Sequence, residues 1–183
     1  MRFVCNARTE FQKKAEAKLR SMIHEVREKY PDINVPDDNT TFSLLFDVNS
    51  VRVAGFAVSQ PAKRSMAIRL HKLGLEKYGD EFINGTLVHE FAHILQYCNC
   101  SNSQPHGLEF KLFMKLLGGD PSRCHNYNLR DLLPEKVRKT AKTFTYKCKC
   151  QEHQLSTIRH NRIRYGKQVY SCTKCNTILE KVK

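Results

Sequence analysis

The chain has 183 residues, with 31 Lys and Arg against 18 Asp and Glu for a formal net charge of +13, and it contains no Trp. A 40% hydrophobic content at this length fits one full domain with a small appendage. No apolar run approaches the ~20 residues of a membrane span, and no basic stretch leading into an apolar core opens the chain, so neither export nor membrane insertion is expected.

In chain order, Phe11, Ala15, Leu19, Met22, Ile23, Val26 and Tyr30 recur at helical spacing, which predicts an amphipathic helix from Thr9 to Tyr30. Thr9 with Gln12 forms a capping-box signature and Pro31 stops the run. Phe42, Leu44, Phe46 and Val48 then alternate with Thr41, Ser43, Leu45 and Asp47 as in a strand. Two further strands are expected over Val53 to Ser59 and Ser65 to His71. Turn-rich segments separate them, which suggests an antiparallel arrangement. The helical period returns from Asp80 to about Cys98, with Asp80 placed as a cap, and again from Pro105 to Leu117, where Gly118 and Gly119 end it. Residues 131 to 145 read as a linker or a poorly packed helix.

The second of these helices contains His89-Glu90-Phe91-Ala92-His93, the HExxH pattern. Two His four residues apart lie on one helical face and can both reach a Zn2+ at ~2.0 to 2.1 Å. Glu90, one position round, is suited to act as a base on a water at that ion. An otherwise apolar helix has little use for three such groups unless something partners them. Catalytic zinc usually takes a third protein ligand, and His106, after a polar turn long enough for the chain to reverse, fits that role. Glu109 is the alternative, while His24, His71 and His125 have nothing local to recommend them.

Charge is concentrated at the end of the chain. Residues 136 to 183 hold 13 Lys and Arg against only Glu152 and Glu180, a net +11, which leaves +2 for residues 1 to 135. Such a segment suits a polyanionic partner, most often nucleic acid. Within it, Cys148-Lys149-Cys150 and Cys172-Thr173-Lys174-Cys175 are two thiolate knuckles of the kind that close a structural zinc ribbon. The first is tighter than the usual CxxC, so His153 is an alternative ligand. Lys147, Lys149, Arg159, Arg162, Arg164 and Lys167 are the candidate phosphate contacts, with Tyr165 placed to stack on a base. For Tyr146 and Tyr170, stacking and hairpin packing weigh equally. Cys98, Cys100 and Cys124 read as reduced thiols, an extra metal site with His125 being the alternative, and Cys5 as a small apolar residue.

The run LVHEFAHILQYCNCSNSQPHGLEFKLFM resembles the active-site region of the SprT family, in which HExxH is followed by a PHG-type segment bearing a third His. The tail YKCKCQEHQLSTIRHNRIRYGKQVYSCTKC is similar to the C-terminal zinc module of bacterial members. The resemblance implies an α+β chain: a zincin-like metalloprotease domain over 1–135, with an N-terminal helix, a small antiparallel sheet, the HExxH helix and a third-ligand helix, then a basic zinc-ribbon-like subdomain over 136–183. It implies His89, His93 and His106 as zinc ligands, Glu90 as catalytic base, and Ser65 to His71 as the edge strand that pairs with extended substrate. His125 matches a family His and, with Tyr127 and Tyr146, is a candidate oxyanion group. Related Spartan proteases are DNA-dependent and degrade proteins crosslinked to DNA.

The expected protein is therefore a zinc endopeptidase with two Zn2+ ions, one catalytic and one structural, acting on DNA-bound or DNA-crosslinked proteins in DNA–protein crosslink repair. Its expected partners are DNA, single-stranded or junction DNA included, and protein substrates on it; the expected state is a monomer without membrane contact, cytoplasmic, and nucleoid-associated if bacterial or phage. The alternative is a nucleic-acid-binding accessory protein, for instance in transcription, with a non-catalytic zincin scaffold.

Overall fold

The capping box at Thr9 closes as the sequence requires: the Gln12 N–H donates to Thr9 Oγ1 at 3.3 Å and the Thr9 N–H donates back to Gln12 Oε1 at 3.4 Å. This starts helix α1 (Glu10–Lys29), whose apolar stripe of Ala15, Leu19, Met22, Ile23 and Val26 is buried. The computed structural model describes residues 1–100, 103–121, 126–133 and 142–182. They fall into two compact units, Met1–Leu133 and Pro134–Lys183. No helix among the described residues is long and apolar enough to cross a membrane.

In the first unit, α1 follows strand β1 (Arg2–Cys5) and precedes β2 (Thr41–Val48), β3 (Gly55–Gln60) and β4 (Ser65–His71). The order across the sheet is β1-β2-β4-β3. β1 and β2 pair in parallel, as do β2 and β4, and only β3 and β4 are antiparallel. The expected antiparallel sheet is thus a mixed one. The physical reason is connectivity: α1 is a crossover that returns β2 parallel to β1, and the chain reverses twice between β2 and β4. Because β3 folds back outside β4, β3 forms the edge on that side of the sheet, β1 forms the other, and Ser65 to His71 lies inside. Phe42 and Leu44 of β2 and Ile68 and Leu70 of β4 share one buried cluster with the α1 stripe.

After β4 the chain enters α2 (Lys72–Phe82), which the periodicity did not reveal. Its N-cap is His71, whose Nδ1 accepts from the Gly74 N–H at 2.9 Å. Gly79 leaves helical geometry with φ 50° and ψ −123°, and a β-carbon there would lie 2.7 Å from the Phe11 ring. Both the dihedrals and the close approach require glycine. From Asp80 the chain is helical again, through a π segment (Ile83–Leu87) into α3 (Val88–Asn99). Helix α4 (Leu108–Leu116) follows and Gly118, at φ 70°, ends it.

In the second unit, β5 (Thr143–Lys147) is central between β6 (Glu152–Ser156) and β7 (Glu180–Lys181), with α5 (Thr157–Arg164) following β6. The strand at Thr143 shortens the expected linker. Residues 134 to 141 of that expectation, and the boundary at 135, lie outside the described residues. Tyr146, Leu155, Cys172 and Leu179 form the small core.

Candidate metal centres

Helix α3 presents His89 and His93 from successive turns, and the turn before α4 returns His106 to them. The Nε2 atom of His106 lies 3.0 Å from Nε2 of His89 and 3.1 Å from Nε2 of His93. His106 was expected at the start of a helix; it sits instead ahead of α4 with φ 60°, a left-handed conformation that turns its ring back toward α3. Phe110, fully buried, packs against all three imidazoles at centroid distances of 4.8, 4.4 and 4.8 Å.

Three ring nitrogens converging in this way are compatible with a cation's donor set. Ligands ~2.0 to 2.1 Å from a tetrahedral ion stand about 3.3 Å apart. A single N–H on His106 cannot serve two imidazole neighbours at once, and converging lone pairs repel unless a cation lies between them. Burial also lowers the pKa of His93, which favours the neutral form that a metal requires. The alternative ligand Glu109 is not in the group of side chains that converge here.

Glu90 is 6% exposed. Burial pushes its carboxyl up to about 8, and the backbone N–H of Ala57 on β3 pulls the other way. His89, Glu90 and His106 line a cleft of about 850 Å3 together with Arg52, Glu81 and Tyr127. Of the three groups considered for an oxyanion role, Tyr127 lines this cleft and donates its hydroxyl to the Glu81 carbonyl at 3.1 Å. Tyr146 is buried in the second unit against His160 Nδ1 at 2.9 Å, and His125 lies outside the described residues. His71 is a helix cap and His24 is exposed on α1.

One residue of the site escaped the sequence reading. Gln96 is 3% exposed, and its side-chain oxygen faces His93 Nδ1 at 3.2 Å. The signal was its spacing, one turn beyond His93 on an apolar face.

In the second unit the Sγ atoms of Cys148, Cys150, Cys172 and Cys175 all lie within 4.8 Å of one another. The Cys148–Cys150 distance is 3.4 Å and the Cys150–Cys172 distance 3.6 Å. Four sulfurs ~2.3 Å from a tetrahedral ion stand about 3.8 Å apart, so this set too is compatible with zinc. The Lys174 N–H donates to Cys172 Sγ at 3.4 Å, and hydrogen bonds from Thr177 lower the Cys175 pKa to about 6, which favours the thiolate. His153 Nε2 is 3.3 Å from Cys148 Sγ but outside the four-sulfur group. Cys98 rests against Met66 Sδ at 3.8 Å, and burial pushes its pKa to about 11; burial likewise raises Cys5 to about 11. Neither Cys98 nor Cys100 joins a metal-binding group among the described residues, and Cys124 lies outside them.

Lys147, Lys149, Arg159, Arg162, Arg164, Tyr165 and Lys167 are all exposed. Arg159 lies over the Tyr170 ring at 5.8 Å and Arg164 over Tyr165 at 5.7 Å. Arg162 reaches Gln168 Oε1 at 3.3 Å, and the Tyr170 hydroxyl donates to the same oxygen at 3.0 Å.

The model of the SprT-like family matches residues 19–130. The chain is 40% identical over 112 residues to Protein SprT of Escherichia coli O1:K1 and, equally, of Escherichia fergusonii; the match covers 61% of this chain and 64% of each relative. The chain thus spans less than two thirds of the length of these relatives. No solved structure matches it.

Proposed function

The chain belongs to the SprT-like family, and on that premise we propose that it is a zinc-dependent endopeptidase of zincin-like fold directed to DNA, where it cleaves bound or crosslinked proteins. The observation that carries the proposal is the meeting of three imidazole Nε2 atoms beside a buried carboxyl in an open cleft. His89, His93 and His106 would hold the ion. A Zn2+ supplies Lewis acidity there, polarising the scissile carbonyl and making water a stronger acid.

Glu90 takes the proton of the attacking water and hands it to the leaving amine. Its burial raises its proton affinity, which suits a group that must hold a proton between two steps. Edge strand β3 turns outward-facing backbone groups toward an extended peptide, and backbone pairing gives little side-chain preference. Selectivity would then come from tethering, which raises the local concentration of the protease at its target.

The exposed cations of the second unit support a DNA tether. The four-thiol cluster supports a structural zinc that contributes much of the folding energy of so small a unit. The test is a protein–DNA conjugate incubated with the full chain. Cleavage is expected to require DNA and a chelatable ion and to stop in Glu90→Gln without loss of zinc. Cleavage retained in Glu90→Gln overturns the catalytic assignment and leaves a nucleic-acid-binding scaffold. For the tether, DNA affinity should fall with salt, and Arg159→Ala, Arg162→Ala and Lys167→Ala should each reduce the log–log slope by about 0.9.

A further inference from the structure

Gln96 is used by no step of that chemistry, yet it is buried and lies against the His93 ring. Its amide has only one workable orientation. The Gln104 carbonyl can only accept, so Gln96 Nε2 must face it, at 2.9 Å, and the same nitrogen donates to Ser103 Oγ at 2.7 Å. Ser103 passes its own hydroxyl proton to the Cys100 carbonyl at 3.1 Å, which leaves its oxygen free to accept. Gln96 Oε1 is thereby turned toward His93 Nδ1 at 3.2 Å. An amide oxygen only accepts, so Nδ1 carries the imidazole proton. His93 Nε2 is left as a bare lone pair, 3.1 Å from His106 Nε2.

We infer that Gln96 is the positioning residue of this centre. One amide fixes the tautomer and ring orientation of His93 and, with its other end, holds the Ser103 hydroxyl and the Gln104 carbonyl of the turn that leads into His106. Two ligands from different elements are thus held by a single side chain one helical turn from the first of them. The inference rests on the reading of the histidine trio as a metal centre. Partners of this kind, when lost, lower metal affinity about 10- to 100-fold.

The experiment uses the full chain and two ions. Co2+ distinguishes the sites, since only the thiolate cluster gives sulfur-to-metal charge-transfer absorption, and Zn2+ affinity at the histidine site is measured by chelator competition. Long-range 1H–15N correlation of the histidine rings reports the tautomer of His93 in the metal-free chain. Gln96→Met, of similar length but without the hydrogen bonds, should weaken zinc at the histidine site about 10- to 100-fold, leave the thiolate site unchanged and abolish the fixed Nδ1–H tautomer. Gln96→Glu, whose carboxylate still accepts from Nδ1–H, should restore the tautomer and part of the affinity. Wild-type affinity with the Nδ1–H tautomer retained in Gln96→Met overturns the inference. So does an Nε2–H tautomer for His93 in the wild-type chain, a result that needs no variant to fold. Failure of the wild-type trio to bind Zn2+ at all overturns the metal-centre reading, and this inference with it.

Discussion

His106 brings its Nε2 to 3.0 Å from that of His89 while its own backbone holds φ 60°. A side chain in the left-handed region costs roughly 1 to 2 kcal/mol, and the conformation persists here because the Gly107 N–H closes onto the Gln104 carbonyl at 2.9 Å. His106→Gly removes the ligand without disturbing that turn. In denaturant, the metal-free variant should stay within about 1 kcal/mol of the wild type, because glycine's larger unfolded entropy offsets the relief of strain. It should hold no ion at the histidine trio. A loss of several kcal/mol would mean that the imidazole, rather than the backbone, holds the turn.

The titration of Glu90 sets a pH dependence for the metal-free chain. With the folded carboxyl raised from 4.5 to about 8, the folded state binds its proton more tightly than the unfolded state does. The penalty for ionisation is absent below about pH 4.5, grows as pH rises and is complete above about pH 8. In chelator, wild type minus Glu90→Gln should therefore show a stability deficit of a few kcal/mol at pH 8.5 that vanishes near pH 4.5. The same difference at both pH values would contradict it.

His71 acts in the opposite sense. Burial lowers its pKa below 6.5, and its Nδ1 must remain unprotonated to cap α2. The unfolded chain then binds the extra proton more readily, so this contribution to stability is present above pH 6.5 and is lost as pH falls through the lowered folded value. His71→Asn keeps a capping oxygen without the titration and should flatten that limb of the curve, whereas His71→Ala should lose about 1 kcal/mol for the cap as well. Urea midpoints between pH 5 and 7.5 make the comparison.

Edge strand β3 offers a test of substrate pairing. The His71 N–H donates to the Ala54 carbonyl at 2.7 Å in the β3–β4 register, so by alternation Val58 faces β4 while Ala57 and Ser59 present their N–H groups on the outer edge. Ser59→Pro should slow cleavage of an unstructured peptide at unchanged zinc content. Val58→Pro, one residue earlier and facing β4, should instead lower stability. Equal turnover by Ser59→Pro and wild type would remove β3 from the binding site.

The parts of this architecture carried by local pattern were legible in the sequence. Thr9 and Gln12 announced the start of α1, alternation placed β2, and the spacing of His89, His93 and His106 pointed to three imidazoles that the fold does bring together. Strand order was not legible, because alternation tells which face a residue occupies and not which neighbour it pairs with; hence β3 and not β4 forms the edge. Helix α2 was obscured by its own glycines, Gly74 and Gly79, and by a histidine in a capping position more often held by Ser, Thr, Asp or Asn. Gln96 was missed because its role depends on Ser103 and Gln104, which only the folded turn brings to it.

The most direct measurement is zinc content per chain by elemental analysis after exhaustive dialysis. The wild type should retain two equivalents, His89→Ala and His106→Ala one each, and Cys172→Ser combined with Cys175→Ser also one, drawn from the other site. A wild-type chain with a single zinc that survives both histidine substitutions would contradict a metal held by His89, His93 and His106, and with it the peptidase chemistry assigned to Glu90.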